Sequence, residues 1–298
     1  MIEPEIKAIM ELGRQEQQRM LIAAIIRLQK EYTVAGNRVS NVVATSEGFT
    51  VQQTLDRVEG QIAKISGQAT RLVERNVATV INLSLKSTAA TAKIYSSLVA
   101  MDTVMHLPEF RSISQRLIDA SRLTVDGIEL SAKIWDLNKV TMATMRRIIV
   151  TDLINQVPLN ITAQKMKKLL IIPDSDMRTK KWRLFFKENP PGRGVYKSAF
   201  KNVQRVLVTE SNRAYRLGTE AYSMAKPWVR SNKWNRSESP ADCDRCATLA
   251  SQDLYGLGAG QYPPGSSPSS PHPFCECYIT IEPLDELRID QINVAQRS

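Results

Sequence analysis

Only two of the chain's fourteen prolines, Pro4 and Pro108, lie in its first 150 residues. Proline lacks a backbone N–H and its ring collides with the preceding turn, so a stretch without it can carry long, uninterrupted helices. The first half of this 298-residue chain therefore reads as almost entirely α, with helices predicted near residues 4–45, 50–104, 108–122 and 125–156. Glu47-Gly48 ends the first, and Thr50 with Gln53 forms a capping box at the start of the second. Pro108-Glu109 opens the third after His106, a loop or helix-end residue with no chemical role.

Within the second helix, Val51, Leu55, Val58, Ile62, Ile65, Ala69 and Leu72 recur at alternating steps of four and three. That spacing aligns them along one side of a helix, as the seam of an intramolecular bundle or, less commonly, a self-association surface; the bundle is the expectation. Hydrophobic residues make up 43% of the chain and aromatics only 6%, enough for a real core packed mainly on aliphatic side chains. The longest apolar runs, Leu21–Ile26 and Val77–Ile81, are too short to span a bilayer, so neither a transmembrane segment nor a membrane partner is expected.

All four cysteines fall within 35 residues: Cys243-x2-Cys246, then Cys275 and Cys277, with His272 just before them. A C-x2-C knuckle places two thiolates close enough to share an ion, and a distant second pair can close a tetrahedron, so this cluster reads as a structural zinc site. Five donors stand where four are needed, and the fourth corner is open between Cys277 and His272. No secretory signal is recognisable at the N-terminus, so the chain is expected in a reducing cytoplasm, where the alternative of paired disulfides is rare. No general base is evident beside the cluster, as a catalytic zinc would need. Zinc would also anchor both ends of the Gly/Pro/Ser-rich stretch 256–273, expected to form no regular structure. Tyr278–Ile281 then alternates as a short strand.

Charge is uneven. Residues 165–236 hold 18 Lys or Arg against five acids, a balance of +13, whereas the whole chain is only +10. Arg178, Lys180, Lys181, Trp182 and Arg183 interleave an aromatic with cations, and Lys187, Arg193, Lys197 and Lys201 continue the pattern. Such a surface would grip the backbone of double-stranded DNA without reading its sequence; a solvated helix face or a match to an acidic protein is the alternative. Pro190–Gly194 reads as a turn between helices, since a Walker motif's spaced glycines and Lys-Ser/Thr are missing.

Along the chain come Val208-Thr209-Glu210, Arg213, Trp234, the Cys243/Cys246 knuckle, Leu254-Tyr255-Gly256, Pro263-Pro264 and His272-Pro273-Phe274-Cys275-Glu276-Cys277. This order resembles the phage head morphogenesis domain of the Mu F-like minor head proteins, over roughly residues 151–282. That family carries an Arg-Thr-Glu helix, a tryptophan, a C-x2-C pair and a closing Pro-Pro-x-His-Pro-x-Cys-Arg-Cys. Here Val208 and Glu276 stand at the family's arginines, and Gly265–Pro271 separates the double proline from His272, while the metal-ligand set is retained. Glu210 is expected to pair with arginines of its own helix, and Trp234 to pack under the knuckle.

The resemblance implies a minor protein of a phage head, made in the host cytoplasm and housed in the virion at the portal vertex. Its implied partners are the portal protein, the major capsid protein, or both, with packaged DNA nearby, and it implies no catalysis. A zinc-dependent nuclease is the rival class, but it would need a separate catalytic histidine, and the chain has only His106 and His272. The expected architecture is mainly α: a long-helix, portal- or capsid-docking region over 1–150, then a head-morphogenesis-like region over 151–282. The latter combines basic helices (165–236) with a small α+β zinc-stapled module (234–282), and a polar tail (283–298) follows.

Overall fold

The computed structural model describes residues 3–99, 107–122, 129–172, 176, 178–189, 198–237, 243–269 and 271–284. His106, Arg193, Lys197, the Pro190–Gly194 turn and all but the first two residues of the polar tail lie outside them. The chain is mainly helical, as its proline distribution predicts: α1 (Glu3–Ala44), α2 (Val51–Val99), α3 (Leu107–Ala120), α4 (Leu130–Ile154), α5 (Leu159–Leu170), α6 (Lys180–Glu188), α7 (Ala199–Met224) and α8 (Asp244–Ser251). Three short strands, β1 (Val229–Asn235), β2 (Gln261–Tyr262) and β3 (Tyr278–Pro283), complete it. Among the described residues no helix is long and apolar enough to cross a membrane.

Local chemistry sets the helix ends. Gly48, at φ 81, occupies the left-handed region beyond α1. The capping box forms reciprocally: Gln53 N–H donates to Thr50 Oγ1 at 3.2 Å, and Thr50 N–H donates to Gln53 Oε1 at 2.9 Å. Along α2 the buried face runs Leu55, Val58, Ile62, Ile65, Ala69, Val73, Val77 and Val80, while Val51 is exposed and Leu72 only half-buried. The stripe thus leaves the strict 3.5-residue repeat after Ala69 and follows the natural α period, which fits a bundle within the chain.

Two compact units divide the chain, each assembled from segments before and after residue 150. One comprises residues 22–75 and 126–207. Its buried residues include Leu28, Tyr32 and Val39 of α1, Ile65 of α2, Ile134 and Met145 of α4, Leu169 of α5, Phe186 of α6 and Phe200 of α7. Fully burying such an apolar side chain contributes about 1.5–3 kcal/mol. Tyr32 also donates to Asn138 Oδ1 at 3.0 Å and meets the Phe200 ring edge-on at 6.0 Å. Between α4 and α5, the buried Asp152 carboxylate accepts from Thr162 Oγ1 and Lys165 Nζ, both at 2.8 Å.

The other unit comprises residues 1–21, 76–125 and 208–298. Here α7 turns a polar face inward. Ser84 on α2 donates to the Tyr215 carbonyl at 2.7 Å, Asn76 donates to Ser211 Oγ at 2.6 Å, and Gln17 donates to Asn212 Oδ1 at 2.7 Å. Gly218 permits the approach of α7 to α2, since a Cβ there would lie 2.7 Å from Ser84 Cβ. The sheet has order β2-β1-β3 with both pairings antiparallel, Asn232 facing Tyr262 and Trp234 facing Ile279. The strand at Tyr278–Ile281 is where alternation predicts it. A correction concerns β2, which lies inside the Gly/Pro/Ser-rich stretch expected to be irregular: two residues pair with β1 because the segment is pinned at both sides, not through any propensity of its own.

Candidate metal centre

The sequence brings the two halves of the cysteine pattern to one end of the small sheet. Cys243 is the N-cap residue of α8 and Cys246 lies in its first turn, where the positive end of the helix dipole favours a thiolate. Cys277 immediately precedes β3, whose first residue, Tyr278, pairs with the last residue of β1, Asn235. All four cysteines are free of disulfides. Donor atoms of Cys243, Cys246 and His272 lie within 4.8 Å of one another, as do those of Cys246, Cys275 and Cys277, so Cys246 belongs to both groups.

The spacings suit a metal ion. Cys246 Sγ is 3.7 Å from Cys275 Sγ, close to the edge of roughly 3.8 Å that bonds of about 2.3 Å give a tetrahedron. Cys246 Sγ is 3.1 Å from His272 Nε2. The other ring nitrogen, Nδ1, lies 2.7 Å from the Pro273 carbonyl, which can only accept, so Nδ1 carries the proton and Nε2 offers its lone pair to the cluster. A hydrogen bond with Cys275 draws the Cys277 thiol down, while the same bond pushes Cys275 up and burial pushes Cys246 up. A dication that binds such crowded thiols displaces the protons they share. The five residues could therefore hold a metal ion.

Around the donors is a compact apolar shell. Trp234, Tyr262 and Ile279 are buried together with Cys246, Cys275 and Cys277, and Leu249 and Ala250 pack against them. Trp234 thus lies against the knuckle, as expected. Gly260, at φ 69, lets the return strand pass α8: a Cβ would sit 2.6 Å from the Ala250 carbonyl oxygen. Thr209, buried on α7, accepts the Phe274 backbone N–H at 3.1 Å, and Glu210 pairs with Arg213 at 3.1 Å on the same helix.

Two residues with no part in the sequence reading close the site. Arg216 of α7, 2% exposed, donates through Nη1 to the Cys277 carbonyl and through Nε to the Ser269 carbonyl, both at 2.7 Å, and lies 5.6 Å from the centre of the Trp234 ring. Arg14 of α1, 3% exposed, donates to the Glu276 carbonyl and, at 3.1 Å, to Asn212 Oδ1. Arg14 occupies the step between the buried Met10 and Gln17, and Arg216 belongs to a run of polar residues spaced three and four apart, a pattern that in the sequence alone reads as a solvated face.

The basic residues belong to the other unit. Arg178, Lys180, Lys181, Arg183 and Lys187 are exposed on or beside α6, and Lys201 is half-buried on α7. Trp182 is half-buried, with Lys181 and Lys168 Nζ at 5.3 and 5.6 Å from its ring centre and Phe185 edge-on at 5.4 Å. Its indole is engaged within the unit. No family model, curated protein or solved structure matches the chain.

Proposed function

We propose that this chain is a minor capsid protein of a tailed phage, bound at the portal vertex inside the head, with a structural zinc ion in its C-terminal module. Zinc suits donors that are all thiol or imidazole; Cys243, Cys246 and Cys275 would hold it, with His272 or Cys277 as the fourth ligand. Bound there, it supplies cross-linking of the knuckle to the strand segment and no chemistry. The observation that carries this reading is the convergence of motif residues. Thr209, Trp234, the knuckle and the His272–Cys277 segment, spread over 69 residues, form one cluster. They are the same residues whose order resembles the Mu F-like head morphogenesis domain.

In this role the exposed cations of α6 rest against packaged double-stranded DNA without sequence preference, and the long helices contact the portal protein, the capsid shell, or both. The work is assembly, packaging or ejection and needs no catalysis. Co-expression with a portal protein from the same genome, followed by size-exclusion chromatography, tests the placement: co-elution supports it, and separate elution at micromolar concentrations contradicts it. Incubation with plasmid DNA and Mg²⁺ tests the remainder, because metal-dependent cleavage would move the protein to the nucleases.

A further inference from the structure

Buried cations are rare unless an anion accompanies them, because removing a charge from water is costly. Arg14 and Arg216 are both buried and close enough to repel. Arg14 has the carboxylates of Glu276 and Glu11 in its field. Arg216 leaves its Nη2 without a hydrogen-bond partner among the described residues. Its remaining bonds go to backbone carbonyls, one of them that of Cys277. The partners of Arg216 are thus the backbone that carries the cysteines and the Trp234 ring beside them.

The two arginines reach adjacent carbonyls, Glu276 and Cys277, from helices far apart in sequence. Arg14 is also tied to Asn212 and Gln17, and Tyr278 donates to Glu11 at 3.2 Å, so the first turns of α1 are fastened to the cysteine segment by polar contacts. We propose that Arg216 is the buried clamp that holds the cysteine segment of the metal centre in place, and that Arg14 makes docking of the first turns of α1, residues 3–21, conditional on that centre being filled. The proposal rests on the metal reading above. Filling the site fixes the cysteine segment and with it the two carbonyls. Emptying it loosens the segment whose Glu276 and Cys277 carbonyls the two arginines grip, and to which α1 is fastened.

The test uses the full chain loaded with zinc. Zinc affinity is measured by chelator competition for wild type, Arg216→Lys and Arg216→Met, with circular dichroism to confirm that each is folded. Arg216→Met is expected to bind zinc about 10- to 100-fold more weakly, and Arg216→Lys, which keeps the charge but loses the two-armed geometry, falls between. Hydrogen exchange of the wild type, before and after zinc removal, supplies a readout that needs no variant: protection of residues 3–21 is expected to fall while that of α5 is unchanged. Equal zinc affinity in a folded Arg216→Met variant, or protection of residues 3–21 that ignores zinc, overturns the proposal. A wild type that takes up no zinc overturns the metal reading along with it.

Discussion

The hydroxyl of Thr209 accepts the backbone N–H of Phe274 at 3.1 Å, joining residues 65 positions apart. Phe274 sits at φ 59, a left-handed conformation that costs a non-glycine residue roughly 1–2 kcal/mol and persists only where the surroundings hold it. That bend lies between His272 and Cys275, so Thr209 shapes the metal centre without being a ligand. Thr209→Val keeps the shape and removes the acceptor. It is expected to destabilise the protein by about 1–3 kcal/mol and to speed metal loss, while Thr209→Ser stays near wild type. Chemical denaturation and metal release in the presence of a chelator read both effects; a valine variant equal to wild type in each removes Thr209 from the site.

Gly260 and Gly256 share nearly the same backbone angle, φ 69 and 68, yet only Gly260 faces an obstacle, the Ala250 carbonyl oxygen at 2.6 Å. Gly256→Ala should cost about 1 kcal/mol from its left-handed backbone alone. Gly260→Ala should cost more, about 2–3 kcal/mol, because the return strand must shift away from α8. Equal midpoints for the two variants in urea would contradict the packing described for β2.

Burial raises the Tyr215 phenol to about 12 from its ordinary value near 10. The folded chain then keeps a proton that the unfolded chain loses. The stability this confers is complete below pH 10 and is lost as pH rises toward 12, at up to about 1.4 kcal/mol per pH unit. Tyr215→Phe should therefore flatten the decline in unfolding free energy between pH 9 and 11. Tyr32 and Tyr222, which burial shifts the same way, preserve part of the slope. Identical slopes for variant and wild type would show that the phenol is not held neutral by the fold.

Lys180, Lys181, Arg183 and Lys187 are all exposed on α6. If they meet phosphates, replacing all four with serine should lower the salt dependence of binding to random duplex DNA by about three to four, near 0.9 per lost contact. The helix should persist, since its core contact is Phe186 and its cap is the Thr179 side chain, which accepts from Trp182 N–H. An unchanged slope would place the DNA elsewhere or remove it.

The helices and the convergence of the cysteines were legible in the sequence because their chemistry is local. Thr50 and Gln53 announce a cap, Leu55 to Ala69 an apolar face, and cysteine spacing a shared ion. The face of α7 that supports the site was not legible, and the reason is physical. Thr209, Asn212, Arg216, Thr219 and Ser223 follow the same three-and-four spacing as an apolar stripe, and all are buried. Polar residues at helical spacing read as a solvated face, because their burial depends on partners that only the tertiary structure supplies. Arg14, set between Met10 and Gln17 on the buried side of α1, is hidden for the same reason. The two-residue β2 is too short for alternation to register, and it exists through its pairing with Asn232 and Lys233.

The most direct test is the metal itself. Native mass spectrometry of the full chain, purified without chelator, is expected to show about one zinc ion per chain. Cys243→Ser with Cys246→Ser should lose that ion and melt the C-terminal module, leaving the helices of the 22–75 and 126–207 unit intact. A wild-type chain free of metal, whose unfolding is unmoved by added zinc or by chelator, would contradict the account at its centre.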